Sequence, residues 1–268
     1  MTSVLILAGS RGELSSLCDI GGVSSKALLR LGAVRMIDHV LRAIQDSPEI
    51  DGDIWVSGLS VREIRDGAPN DILPMLDRMK DAVAGDGPAS AVLANLDQGI
   101  ALPLLITTCD HPLLTPEIVA QFLRKSEAVS SDFSVGLAQR TVVESAYPQT
   151  TRTYIKLAGR EYSGCNLFHV KADTARNVIA LWKEIGHNRK HPFKIARRFG
   201  IGAALKILIG RLDLEGAFLH ASKLVGADIT PILLSIAEAA IDVDKPKDLE
   251  LVKRILTQQG KIQASCDI

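Results

Sequence analysis

The chain has 268 residues, 47% of them hydrophobic and 23% charged, enough to bury a sizeable core in one large α/β domain. Thirty-one basic residues balance thirty-one acidic ones, which excludes a global basic field of the kind that grips nucleic acid, so any anion site must be local. Four cysteines, Cys18, Cys109, Cys165 and Cys266, lie far apart without a C-x-x-C pair, excluding a zinc knuckle or redox dithiol and fitting a reducing cytoplasm.

"SVLILA" opens the chain as a continuous apolar run ended by Gly9, the pattern of a strand buried on both faces. No basic n-region precedes it, and it is too short for a signal-peptide core or a membrane span, so the expectation is a soluble, unexported protein. Arg11 follows, then a long loop with Gly21 and Gly22, then Lys26 in "SKALLRLG". The glycine spacing does not fit G-x-G-x-x-G, and Lys26 lacks the preceding glycine and following hydroxyl of a P-loop. What remains is a small-residue turn whose backbone can approach a polyphosphate, with an Arg and a Lys to neutralise its oxygens; turn glycines with solvated cations are the plainer alternative.

"RMIDHVLRAIQ" places Met36, Ile37, Val40, Leu41 and Ile44 on one helical stripe. "DIWVSGL" and "LPLLITTCD" are further buried strands, with "SAVLANLDQGI" and "TPEIVAQFLRKSEAV" as helices, and this alternation predicts a parallel sheet with crossover helices. Asp110 follows the second of these strands, at the carboxyl edge where open α/β sheets bind ligands and where a hard cation can be held beside phosphates; an aspartate that satisfies a turn is the plainer alternative. Thr115 and Pro116 then read as N-cap and first residue of a helix, and His111 reads as a turn residue rather than a metal ligand.

"FSVGLAQR", "RTYIKL" and "CNLFHV" are strand-like without long helices between them, predicting a mixed, partly antiparallel edge. In "REYSGCNLFHV", Gly164 and Asn166 lie in a strand-loop context where an amide can donate and accept hydrogen bonds to hydroxyls or simply tie down a turn. From about 187 to 225 the chain turns helical and basic, with Arg189, Lys190, Lys194, Arg197, Arg198, Lys206 and Arg211 among apolar residues. That pattern suits an ordinary solvated face, an oligomer contact, or contact with an anionic membrane surface or a phosphorylated molecule. "AIDVDKPKDLELVKRIL" closes the chain as strand, turn and helix, with Asp242 and Asp244 expected on one face of the strand. Two buried neighbouring carboxylates repel unless a cation stands between or near them, whereas at a strand end on the surface the pair would cost little.

In their order along the chain, "LILAGSRG", "SKALLRLGAVRMIDHVL", "GDGPASAVLANL", "TTCDHPLLTPEIV" and "IDVDKPKDLE" make the sequence resemble the molybdenum cofactor guanylyltransferase-like NTP transferases. These sit within the wider set of sugar-phosphate and polyol-phosphate nucleotidyltransferases. The resemblance implies a Rossmann-like three-layer α/β/α fold with a mixed, mostly parallel sheet, forming one nucleotidyltransferase domain over residues 1–268 with a basic helical insertion at about 187–225.

It also implies a role for each matching residue. Leu7, Ala8, Gly9 and Ser10 would cradle the nucleotide, Arg11 would meet its β- and γ-phosphates, and Lys26 would stabilise the attacked α-phosphate. Gly87, Pro88 and Ser90 would border base and ribose, with GTP or CTP as the nucleotide. Asp110, Asp242 and Asp244 would supply magnesium ligands, and Gly164 and Asn166 acceptor contacts. Ser10 replaces the usual second glycine, and the loop from Arg11 to Lys26 is longer than the common pattern. The reaction expected is transfer of an NMP from an NTP to a phosphorylated small-molecule acceptor, with pyrophosphate released and magnesium as cofactor. A glycosyltransferase using a nucleotide-sugar and a non-catalytic nucleotide-binding protein are the alternatives, and nucleic acid is not an expected partner.

Overall fold

A computed structural model describes residues 1–9, 16–188 and 211–262. In chain order the first half runs β1 (Ser3–Leu7), α1 (Ser16–Gly21), a 3-10 turn (Lys26–Leu28), β2 (Arg30–Leu31), β3 (Val34–Arg35), α2 (Met36–Gln45), β4 (Ile54–Ser57), α3 (Val61–Arg65), α4 (Leu73–Leu76), β5 (Met79–Ala82), α5 (Pro88–Asp97) and β6 (Leu104–Thr108). The rest runs α6 (Pro116–Glu127), β7 (Phe133–Gln139), α7 (Arg140–Ala146), β8 (Ile155–Leu157), β9 (Arg160–Val170), α8 (Ala175–Asn188), α9 (Leu214–Val225), β10 (Ile229–Leu234), a 3-10 turn (Ala237–Ala240) and α10 (Pro246–Gln258).

One eight-stranded sheet carries the domain, in the order β10-β7-β9-β6-β1-β4-β5 with β8 paired to β9. The β1, β4, β5 and β6 ladders are parallel, as is the β7–β10 pair, while β9 runs antiparallel to both β6 and β7. The mixed, mostly parallel sheet expected from the sequence is therefore present.

Every side chain of β1 is buried, and successive residues serve opposite faces of the sheet. Val4 and Ile6 pack with Ile37, Val40 and Leu41 of α2 and Phe122 of α6. Leu5 and Leu7 pack with Val92 and Leu96 of α5 and Ile179 of α8. Each such side chain contributes about 1.5–3 kcal/mol by leaving water, so the two helical layers are bound through the central strand. Thr115 caps α6 by accepting from the Ile118 N–H at 3.3 Å, with Pro116 at the first helical position, as read from the sequence.

A third cluster positions the later chemistry. Leu17 of α1, Leu29, Leu31 and Met36 pack with Ile241, Val243 and with Leu249, Val252, Ile255 and Leu256 around α10. The stretch between Arg11 and Lys26, expected as a long loop, thus contains the short helix α1, whose Leu17 is buried. Through Leu17 this helix packs the Lys26 turn against the C-terminal helix. The basic block falls in two parts: residues 189–210, with Arg189, Lys190, Lys194, Arg197, Arg198 and Lys206, lie outside the described residues, whereas Arg211 is exposed. Phe218, Ala221 and Val225 of α9 then pack on the core face shared with α8. Among the described residues no helix is long and apolar enough to cross a membrane.

At the start of α2, Arg35 and Asp38 form a buried ion pair at 2.8 Å, 4% and 1% exposed. The guanidinium also donates to the carbonyls of Ile64 and Asp66, each at 2.7 Å, and so ties α2 to α3. Truncating one member of such a pair leaves a buried charge alone, and Arg35→Leu is expected to lower unfolding stability by about 3–5 kcal/mol in urea titration. A loss of about 1 kcal/mol or less, the worth of an exposed pair, would contradict this structural role.

Candidate active site

Parallel register brings the candidate residues to one edge. Leu7 pairs with Thr108, and the Cys109 N–H donates to the Leu7 carbonyl at 3.0 Å, so Ala8 and Gly9 leave the sheet beside Asp110. On the other flank the Ala8 N–H donates to the Ser57 carbonyl at 2.7 Å, and Gly58 has a positive φ of 95°. A Cβ on Gly58 would lie 2.2 Å from the Gly9 nitrogen, so only glycine lets the two backbones pass this closely. Gly58→Ala is therefore expected to displace the turn after β1 and, with the nucleotide contact that the resemblance implies for this turn, to weaken nucleotide binding at least tenfold, about 1.4 kcal/mol, read by isothermal titration. Unchanged affinity would show that this turn does not touch the nucleotide. Ser10 and Arg11 lie outside the described residues.

Lys26 begins its 3-10 turn with Ser25 as the cap, the Ser25 hydroxyl accepting from the Ala27 N–H at 3.3 Å. Ala27 is buried, which anchors the turn and leaves the lysine free to project over the edge. Its ammonium group hydrogen bonds to Asp110 and lies 3.1 Å from Asp244 Oδ1, so one cation spans two carboxylates. Burial alone would lower the lysine's pKa, but Asp110 and Asp244 outweigh it and hold the group above the ordinary lysine range. Thr108 donates its hydroxyl to the other oxygen of Asp110.

Residues 241–244 are not a sheet strand. Past Ile106 and Phe168 the β6–β9 ladder ends, and the extended segment from Ile241 enters the gap, with the Val243 N–H donating to the Asp110 carbonyl at 2.8 Å. Alternation of apolar and acidic residues reports which side chains are buried, here Ile241 and Val243, and not whether the backbone joins a ladder. The two acids accordingly part. Asp244 is mostly exposed beside Lys26, while Asp242 is nearly buried and paired with Arg152. Asp248 fixes the turn behind them, accepting from the N–H groups of Asp244 and Lys245 at 3.1 and 2.8 Å.

Asn166 completes the Asp242 site, donating its amide to Oδ2 at 2.6 Å. It does so from a positive φ of 50°, where β9 slips register: Val135 pairs with Phe168, but Leu137 pairs with Gly164 instead of Asn166. Such bulges re-aim side chains, and a non-glycine residue in this region carries about 1–3 kcal/mol of strain that the surrounding ladder must offset. Gly164 is exposed on the same strand. Arg152 has no sequence signal beyond its charge and is not among the residues expected from the sequence.

Gly87, Pro88 and Ser90 form the start of α5. With Asp86 they line a pocket of about 210 Å³ whose other wall is Trp182, Lys183 and His187 of α8. This wall was not legible in sequence, because it depends on α8 crossing α5. His111 is buried in the surroundings, its Nε2 3.1 Å from the Glu238 carbonyl, as expected of a structural residue. Among the described residues no cluster of three His, Cys, Asp or Glu side chains forms a metal cage. Two carboxylates converging on one cation nevertheless fit magnesium, which takes one or two protein carboxylates and keeps waters or phosphates for the rest.

Titration of buried groups sets an acid limit on stability. Burial, with Arg42 and Lys171 respectively, lowers His39 and His169 to about 4 from the ordinary 6.5. Between those values the unfolded chain binds more protons, so stability is full above about pH 6.5 and falls as pH drops toward 4, each histidine costing on the order of 2–3 kcal/mol over that interval. Asp242, raised to about 6 mainly by burial, acts in the opposite direction but is one group against three, since burial lowers His111 as well. The thermal midpoint is expected to decline from pH 6.5 to 4.5, less steeply in His169→Asn, and a flat profile would remove the assignment.

A family model described as MobA-like NTP transferase domain matches residues 4–200. A probable molybdenum cofactor guanylyltransferase of Pelotomaculum thermopropionicum is 29% identical over 123 residues, 46% of this chain and 52% of that one. The chain thus spans about half the length of this curated relative. A hypothetical transferase from Thermus thermophilus is similar in structure with a TM-score of 0.72 and 26% identity, over 92% of this chain and 99% of the other. CMP:2-keto-3-deoxy-manno-octonic acid synthetase, solved with CTP, shares the fold at a TM-score of 0.57 and 14% identity, over 97% and 98% of the two chains.

Proposed function

Because the chain belongs to the family of MobA-like NTP transferase domains, we propose that it is a magnesium-dependent nucleotidyltransferase that moves an NMP from an NTP to a phosphorylated small-molecule acceptor and releases pyrophosphate. The observation that carries this reading is Lys26 held between Asp110 and Asp244 at the carboxyl edge of the sheet, beside the turn after β1.

In the reaction an acceptor phosphate oxygen bonds to the α-phosphorus, the α–β anhydride bond breaks, and its electron pair leaves with pyrophosphate. The nucleophile is already ionised near neutral pH, so no general base is needed, consistent with His111 being sequestered by the Glu238 carbonyl. The protein's work is in-line placement and charge stabilisation. Lys26 would donate to the α-phosphoryl oxygens as charge develops on them, and Arg11 would steady the departing pyrophosphate. Asp110 and Asp244 would hold magnesium, which supplies Lewis-acid neutralisation of the phosphates. Gly87, Pro88 and Ser90 would border the base and ribose.

A screen of four NTPs against phosphorylated acceptors tests this. GTP and CTP lead it, since one relative is named a guanylyltransferase and a protein of the same fold was solved with CTP. The expected result is magnesium-dependent pyrophosphate release that needs both substrates, preceded by a rise in thermal midpoint with the matching NTP. If no NTP with magnesium stabilises the protein, the reading fails; sugar release from a nucleotide-sugar would point to a glycosyltransferase instead.

A further inference from the structure

Between α7 and β8 the chain passes Thr150, Arg152 and Tyr154, and each carries a buried polar atom without a hydrogen-bond partner: Thr150 Oγ1, Arg152 Nε and the Tyr154 hydroxyl. More than about nine in ten buried polar groups in folded proteins are satisfied, so three orphans within five residues form an outlier. All three atoms can donate, so each calls for an acceptor oxygen. The Arg152 side chain is 10% exposed, and two of its donors are spent on one residue: Nη2 on the Asp242 carboxylate and Nη1 on the Asp242 carbonyl at 3.2 Å. Its remaining edge, Nε with the adjoining Nη, presents the paired donors that match a phosphate or carboxylate. Asn166 locks the same Asp242 from the other side, and Asp242 is continuous through Val243 with the Asp110 backbone.

We propose that Arg152, with the hydroxyls of Thr150 and Tyr154, binds the phosphate of the acceptor, and that Asp242 is a positioning residue that holds the guanidinium for this purpose rather than a metal ligand. Both oxygens of Asp242 are engaged by guanidinium and amide groups, Arg152 on one and Asn166 on the other, whereas Asp110, with Thr108 on one oxygen, turns the other to the movable Lys26 amine that Asp244 also meets. The bulge in β9 then has a purpose: it delivers the amide that fixes Asp242. This inference rests on the nucleotidyltransferase reading for the word acceptor, but the anion site itself does not.

The test is equilibrium titration with inorganic phosphate, in parallel with NTP titration in magnesium. Arg152→Gln is expected to weaken phosphate binding about tenfold or more, Tyr154→Phe by a smaller factor, and Arg152→Lys by an intermediate one, with NTP affinity unchanged within about twofold. Asp242→Asn is expected to weaken phosphate in the same way while leaving the magnesium requirement of NTP binding unaltered. Phosphate affinity unchanged in Arg152→Gln, or in Tyr154→Phe should the arginine variant not fold, overturns the site. A raised magnesium requirement in Asp242→Asn overturns its positioning role. If NTPs fail to bind the wild-type protein while phosphate binds through Arg152, the nucleotidyltransferase reading falls and the anion site stands.

Discussion

Lys26→Ala is expected to lower turnover by about a hundredfold to a thousandfold, the usual cost of removing one donor aimed at developing charge. Its second effect has the opposite sign. The ammonium now sits between Asp110 and Asp244, and without it the two carboxylates repel unless another cation takes the place. Magnesium should therefore bind the nucleotide-free variant more tightly than wild type, measured by isothermal titration. Tighter metal binding with lost turnover separates a lysine that acts on substrate from one that merely ties the carboxylates down. Turnover within tenfold of wild type would remove Lys26 from the chemistry. Since the carboxylates hold the lysine above its ordinary range, its charge is full through neutral pH and is lost only in strongly alkaline solution. The pH profile of wild-type turnover near neutrality should therefore carry no limb from this group.

How much of this site was legible beforehand follows from the range of the signals. Strand β1, helix α2 and the cap of α6 are local patterns, and burial, stripe and Thr115 lie where they were read. Lys26 and Asp110 were singled out by neighbouring residues, and parallel pairing of β1 with β6 then brings their elements together. Asp242 and Asp244 share a pattern but not an environment, because what separates them is the gap between β6 and β9 and the position of Arg152, neither of which is encoded nearby. Gly58 is similar: its glycine is required by Gly9, forty-nine residues earlier, and a lone glycine after a strand says only that the chain turns. Local propensity and periodicity thus placed the elements, while the partners of each charge came from nonlocal strand pairing.

Asp110 and Asp244 should answer differently to the same substitution. The Asp110 side chain is 12% exposed, hydrogen bonded by Thr108 and by Lys26, and its backbone carbonyl receives the Val243 N–H, so its oxygens are fixed. Asp244 is 62% exposed and held chiefly by the turn that Asp248 caps, which leaves its carboxylate free to be replaced by water around a metal. Asp110→Asn is therefore expected to cost at least about a hundredfold in turnover at any magnesium concentration, because positioned charge at the phosphates is lost and not merely metal affinity. Asp244→Asn is expected to raise the magnesium concentration for half-maximal rate by about tenfold, roughly 1.4 kcal/mol, with turnover largely recovered at saturation. Magnesium titrations of the steady-state rate read both. Recovery of Asp110→Asn at high magnesium would make it an ordinary ligand with no role in orienting the reacting phosphates. Failure of Asp244→Asn to recover would mean that its carboxylate is as firmly placed in the loaded enzyme as Asp110, and that the exposed carboxylate closes onto the nucleotide when it binds.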